Sequence, residues 1–170
     1  MKLFLIFRVL HILMAALWVG GTFVMSMFVA PAIQDATSAG GRILTGVAKR
    51  GYVMFVPAIA GLVTLTGFYL YYHYTNGFEP GISGSMAGRV FGTGALAGII
   101  AAFTGSSVGR KTQTIAALLE QADAKPEGAE KGALMAQAAI AQGSLARSNR
   151  ITLVLMVVAV ATMSLGHYVG

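Results

Sequence analysis

"LFLIFRVLHILMAALWVGGTFVMSMFVA", residues 3–30, carries only Arg8 and His11 as ionisable side chains. A helix crosses a bilayer with about 20 mostly apolar residues, and this run is long enough. Residues 52–74, 90–108 and 151–169 read the same way. Over the whole chain of 170 residues, 56% are hydrophobic and 11% charged. A water-soluble domain of this size exposes too large a share of its surface to hide so much apolar material. The expectation is therefore an all-α, four-helix transmembrane bundle forming a single integral membrane domain over residues 1–170. Lys2, the apolar run and "VAPA" at Val29–Ala32 mimic a secretory signal. Signal cores, however, are roughly 7–15 residues long, so a retained span is expected.

The ends of the runs carry stop signals. Pro31 is expected to stop the first span, and "TNGFEPG" (Thr75–Gly81) is a turn-rich break after the second. Arg110 and Lys111 close the third, while Arg147 and Arg150 open the fourth. Pro57 falls inside the second span, where neighbouring helices can satisfy the freed carbonyl.

The net charge of +6 does not imply nucleic acid, because the basic residues are scattered over loops and build no basic helix face. Arg42, Lys49 and Arg50 lie in the first loop; Arg110, Lys111, Lys125, Lys131, Arg147 and Arg150 lie in the third. Those are nine of the twelve. Positive loops stay in the cytoplasm, which leaves both termini and the second loop outside. The third loop, residues 110–150, is too long for a bare connection. "TIAALLEQADA" and "GALMAQAAIAQGSLARSNR" are helix-forming on either side of "KPEGAEKG". The third and fourth helices are thus predicted to extend as a cytoplasmic helical hairpin.

With no cysteine, disulfides, thiolate metal sites and thiol catalysis are excluded. No carboxylate lies within a span to act as a base; Glu79 is the single acid expected outside. Whether the chain is an enzyme stays open at this stage, and no catalytic residue is assigned.

The three histidines remain. His73 ends the second span and His167 nearly ends the chain, both on the predicted outer side. His11 sits roughly 12 Å below the outer end of the first helix, at ~1.5 Å per residue. At ~100° per residue, Arg8, His11, Ala15, Trp18, Thr22 and Met25 share a stripe on the first helix. Asn149, Thr152, Met156, Met163, Ser164 and His167 share one on the fourth; Thr66, Tyr69 and His73 line up on the second. The third helix is rich in small residues (Gly88, Gly92, Gly94, Ala95, Gly98, Ala101, Ala102, Gly105, Ser106, Gly109) that let backbones approach closely, and is read as a packing wall.

Intramembrane ionisable residues are costly and point to function. Imidazoles on facing helices can hold haem iron from two sides. The favoured reading is haem b in an electron-transfer or redox role, with His11 and His167 as ligands and His73 the third candidate. Arg8 and Arg89 would neutralise propionates, and Trp18 would form a wall two turns below. A copper ion is the alternative, since imidazole and thioether suit it and Met1, Met14 and Met163 lie on the same side. A cofactor-free scaffold or accessory subunit of a larger membrane complex is the third reading. The plainer roles stand beside these: an aromatic belt at His73 and His167, a histidine bonded to a carbonyl or hydroxyl at His11, and simple core at Trp18.

"RVLHILMAALWVGGTFVMSMFVAPAI" resembles the first helix of the copper-resistance D superfamily of small bacterial membrane proteins, where a histidine precedes Trp-x-Gly by about seven residues. "RSNRITLVLMVVAVATMSLGHYV" is similar to the last helix of an uncharacterised four-span branch. The resemblance implies a bacterial inner-membrane protein, in which the outward termini expected from the charges would be periplasmic, and reaches His11, Trp18, Gly20 and His167. It implies copper uptake or, through a related branch, haem-dependent protoporphyrinogen oxidation. That branch has an arginine beside the proline ending its first helix, and "APAIQ" lacks it. Expected partners are the lipid bilayer, with a redox partner, a larger complex or a second copy of the chain left open.

Overall fold

The computed structural model describes residues 2–35 and 40–169, without the side chains of residues 34, 35, 41 and 42. Among the described residues the chain is helical throughout, with no strand. The elements are α1 (Lys2–Val24), a π-helical segment (Met25–Val29), α2 (Ala30–Asp35), α3 (Gly40–Lys49), α4 (Tyr52–Tyr74), α5 (Pro80–Ser83), α6 (Met86–Asp123) and α7 (Ala129–Leu165). Four helices are long and apolar enough to cross a membrane: Lys2–Ile33, Tyr52–Tyr74, Met86–Asp123 and Ala129–Leu165. Large apolar side chains cover the outside of all four, with Ile6 61%, Leu65 70%, Phe103 74% and Val157 64% exposed.

The first helix departs from expectation at Pro31. The proline does not stop it; helix runs through to Asp35. In an α-helix the proline ring would clash with the carbonyl four residues back and remove one hydrogen bond. One wider turn precedes it here, with the Ala30 N–H reaching Met25 O five residues back. That insertion relieves the ring and lets the helix continue.

The second span matches α4, whose start is set by Gly51 at φ 85°, a left-handed conformation that costs glycine little. In the break after it, Asn76, Gly77 and Phe78 all have positive φ. Thr75 is fully buried there, donating to Tyr71 O (2.8 Å) and accepting from the Phe78 N–H (3.1 Å). The third helix begins four residues earlier than its apolar run, because the Ser85 hydroxyl accepts from the Gly88 N–H and caps it. The fourth ends at Leu165, so His167 lies beyond the helix and is not part of its stripe.

Both of the last helices run far past their apolar runs, α6 to Asp123 and α7 from Ala129. They stay packed along that length: Ala122 and Ala138 are buried at the far end. Midway, Lys111 donates to the Ser148 hydroxyl (2.6 Å), and the Thr104 and Thr152 hydroxyls are bonded at 2.8 Å. The first loop, which holds Lys49 and Arg50, contains the helix α3, and Leu44 plugs into a core cluster with Ile33, Ile115 and Ala116. A second cluster joins the long helices through Trp18, Ile59, Ala60, Val63, Ala101 and Met156.

The small-residue wall on α6 holds in part. Gly88, Gly94 and Ala101 are buried, joined by Ala87 and Ala97, which were not singled out. Ser106 is exposed, and a Cβ at Gly98 would meet nothing within 4 Å. A Cβ at Gly94 would lie 2.6 Å from Thr162 Oγ1 and 3.0 Å from Met163 Cγ on α7. Gly94→Leu is therefore expected to destabilise the detergent-solubilised protein by about 1–3 kcal/mol, the usual cost of overpacking. Gly98→Ala should melt at the same temperature as the parent or higher. Equal melting curves for Gly94→Leu and parent would show that α6 and α7 are not so closely paired.

Candidate functional site

The N-terminal end of α1, the C-terminal end of α4, the start of α6 and the residues after α7 meet at one end of the bundle. Phe7 packs on Tyr69, Tyr74 and His167 pack on Phe91, and Tyr71 donates to Gly88 O. All three histidines lie toward this end, His11 on α1, His73 on α4 and His167 just after α7.

His11 is partly buried between α1 and α4. Its Nδ1 is 3.1 Å from Val63 O and 3.0 Å from Thr66 Oγ1. A carbonyl can only accept, so Nδ1 carries the hydrogen and Nε2 the lone pair. The Thr66 hydroxyl donates in turn to Leu62 O at 2.7 Å, which leaves its oxygen free to receive from the imidazole. Among the described residues no partner takes Nε2. The ring fits because residue 67 is glycine: a Cβ there would lie 2.9 Å from His11 Cε1. Thr66 was visible in the helical pattern. Gly67 was not, because its role is defined by an atom on another helix; a glycine following a buried threonine was the only trace.

His167 follows Gly166, where a Cβ would lie 2.6 Å from the Phe91 ring. That close approach sets the imidazole edge-on to Phe91, centroids 5.7 Å apart. Arg8 Nη2 is 3.0 Å from His167 Nε2. A guanidinium only donates, so the imidazole Nε2 accepts there. Arg8 thus joins the first helix to the C-terminal segment. His73 is exposed and sits among Tyr69 (4.5 Å), Tyr72 (6.1 Å) and Phe4 (6.4 Å).

The remaining candidates stand apart. Arg89 is clipped to Gly84 O at 2.8 Å, at the cap of α6. Trp18 is 4% exposed and belongs to the core cluster two turns below His11. Met14 packs against that same cluster, and Met1 lies outside the described residues. Among the described residues, no three His, Asp or Glu side chains are grouped to hold a metal ion. Among the described residues, no hydrogen bond links one imidazole to another.

The arrangement can therefore do two things. It presents one oriented, unprotonated ring nitrogen at His11, and it ties the bundle end together through Arg8 and His167. Thr66→Val is expected to cost about 0.5–2 kcal/mol, the range for a hydrogen bond between membrane helices, and Gly67→Leu to cost more by evicting the ring. Gly61→Ala, which meets nothing within 4 Å, should be silent. A Thr66→Val protein that melts like the parent would show that the hydroxyl does not hold His11. No protein-family model, curated protein or solved structure matches the chain.

Proposed function

We propose that this chain is a four-span membrane protein that binds haem b at the end where its histidines gather, in an electron-transfer or redox role. The girdle of exposed apolar side chains on all four long helices supports the membrane reading, since water would penalise it heavily. The distribution of basic residues supports cytoplasmic loops one and three, a cytoplasmic α6–α7 extension, and both termini outside. In the membrane of a bacterial cell, that orients the histidines toward the periplasm.

One observation carries the cofactor reading: His11 Nδ1–H is anchored on Val63 O and Thr66 Oγ1, with Nε2 unpartnered among the described residues. Metal-bound histidines characteristically donate their other ring nitrogen to a carbonyl in this way, which fixes tautomer and orientation. His11 would supply a ligand on one side of the group. His167 Nε2, the partner position, is engaged by Arg8. His167 would hold the second side once Arg8 turned away, and the released guanidinium would be placed to pair with a propionate. Arg89 and Trp18 would not touch the group from their present positions. Haem b, when bound, supplies one-electron chemistry; the chain's part is to hold it, pair its acidic groups and keep water away.

The Arg8–His167 contact itself favours a second reading: a cofactor-free subunit in which the same residues only fasten the bundle end. Copper binding, the third reading, has no grouped ligand set to favour it. The resemblance of His11, Trp18 and Gly20 to the copper-resistance D superfamily is compatible with haem and copper alike.

Protein purified from haem-replete cells should show a Soret band. His11→Ala should lose it while still inserting, His167→Ala should lose or shift it, and His73→Ala should keep it. A colourless, metal-free protein overturns the haem reading in favour of the subunit; stoichiometric copper overturns it in favour of copper. Orientation is tested separately, because the natural chain has no cysteine. Cysteines placed at Ser38 or Gln121 should be shielded from an impermeant thiol reagent in intact cells, and one at Asn76 labelled. The reverse pattern would invert the topology.

A further inference from the structure

A cavity of about 70 Å³ lies between the four long helices on the far side of Trp18 from the histidines. A cleft of about 230 Å³ adjoins it between the π-helical segment and α7, with Ser26, Ala30 and Asn149 lining both. Two of the polar side chains lining the cavity, Thr22 on α1 and Asn149 on α7, are each 9% exposed. Among the described residues neither makes a side-chain hydrogen bond. Neither is sealed off, because no buried side-chain nitrogen or oxygen there is left without both a partner and access. Both residues line the cavity. A polar group taken from water and left unpaired costs roughly 1–3 kcal/mol, so an occupant that bonds these two residues lining one cavity is favoured over an apolar one.

The chemistry of the walls selects that occupant. No Lys, Arg, His, Asp or Glu lines the inner cavity, so a charged head would be uncompensated. Hydroxyls and an amide favour a head that accepts and donates hydrogen bonds while staying neutral. Trp18 and Tyr52 give aromatic wall, suited to a planar ring. The cleft beside it is bordered by Met27, Leu145 and Leu153, with Arg150 at one side, and it leads sideways out of the bundle. It exists where the π-helical turn bulges, and such turns recur at binding sites.

We propose that this cavity and cleft bind a neutral amphiphile of the quinone or quinol class, its ring between Thr22 and Asn149 and its chain leaving through the cleft beside Ala30. The lateral entry rests on the membrane reading above; the site is independent of the histidines and of any haem.

Trp18 is the single tryptophan of the chain and lines the cavity, so its fluorescence reports occupancy directly. Decylbenzoquinone, a quenching ring on an apolar chain, is the probe, titrated into the full-length protein in nanodiscs. Saturable quenching is expected. Asn149→Leu should weaken it about tenfold, as for one lost hydrogen bond of ~1.4 kcal/mol, with Thr22→Val acting in the same direction. Ala30→Phe should block entry, and each variant is checked for parental helix content. The titration is repeated on His11→Ala, so that a haem near Trp18 cannot mask or mimic the signal. Non-saturable quenching alike in parent and variants overturns the site. So does equal quenching by a nitroxide-labelled alkane that has no ring to bond, or quenching by aqueous iodide but not by the quinone, which would mark a water vestibule.

Discussion

At Gly94 the third long helix comes so close to the fourth that no side chain fits between them: a Cβ would meet Thr162, Met163 and the Ala159 carbonyl. The rest of the bundle depends on that approach. In a bilayer, burying apolar side chains between helices gains little, because lipid tails are as apolar as leucine. Association must come from dispersion at short range and from hydrogen bonds across the seam. Gly94, Ala97 and Ala101 provide the first, and the Thr104–Thr152 and Lys111–Ser148 bonds the second. α1 and α4 lean on this pair through Trp18, Ile59, Val63 and Met156, and α3 closes the other end through Leu44.

Polar groups inside such a bundle have no water to fall back on, and the two ends of the molecule handle them differently. At the histidine end most of them find partners: His11 on the α4 backbone, Thr75 on its own turn, and Arg8 on His167. Among the described residues, the buried imidazole of His11 keeps its Nε2 without a partner. Toward the other end a cavity lies beside the π-helical turn, with Thr22 and Asn149 among its lining residues. Trp18 stands between these regions, packed into the core on one side and bordering the cavity on the other, so its indole belongs to both the scaffold and the site beneath it.

The sequence by itself determined the number of long helices, their approximate limits and the faces they turn inward. These follow from apolar length and helical period, both properties of one element at a time. The inward faces of Trp18, Thr22, Asn149, Thr152 and Met156 were legible for that reason, as was the gathering of the histidines at one end, since chain reversal by short connections leaves little choice. Only the tertiary structure decided what each polar group meets. Pro31 passes through the helix because a wider turn absorbs it, and that turn helps to open the cleft. His167 falls off the helix end and reaches Arg8, a contact across 159 positions of sequence. Gly67 matters through the ring of His11, on another helix. Helical period gives a residue's direction but not the atom waiting there, because that atom's position depends on the distances and rotations at which separate helices pack.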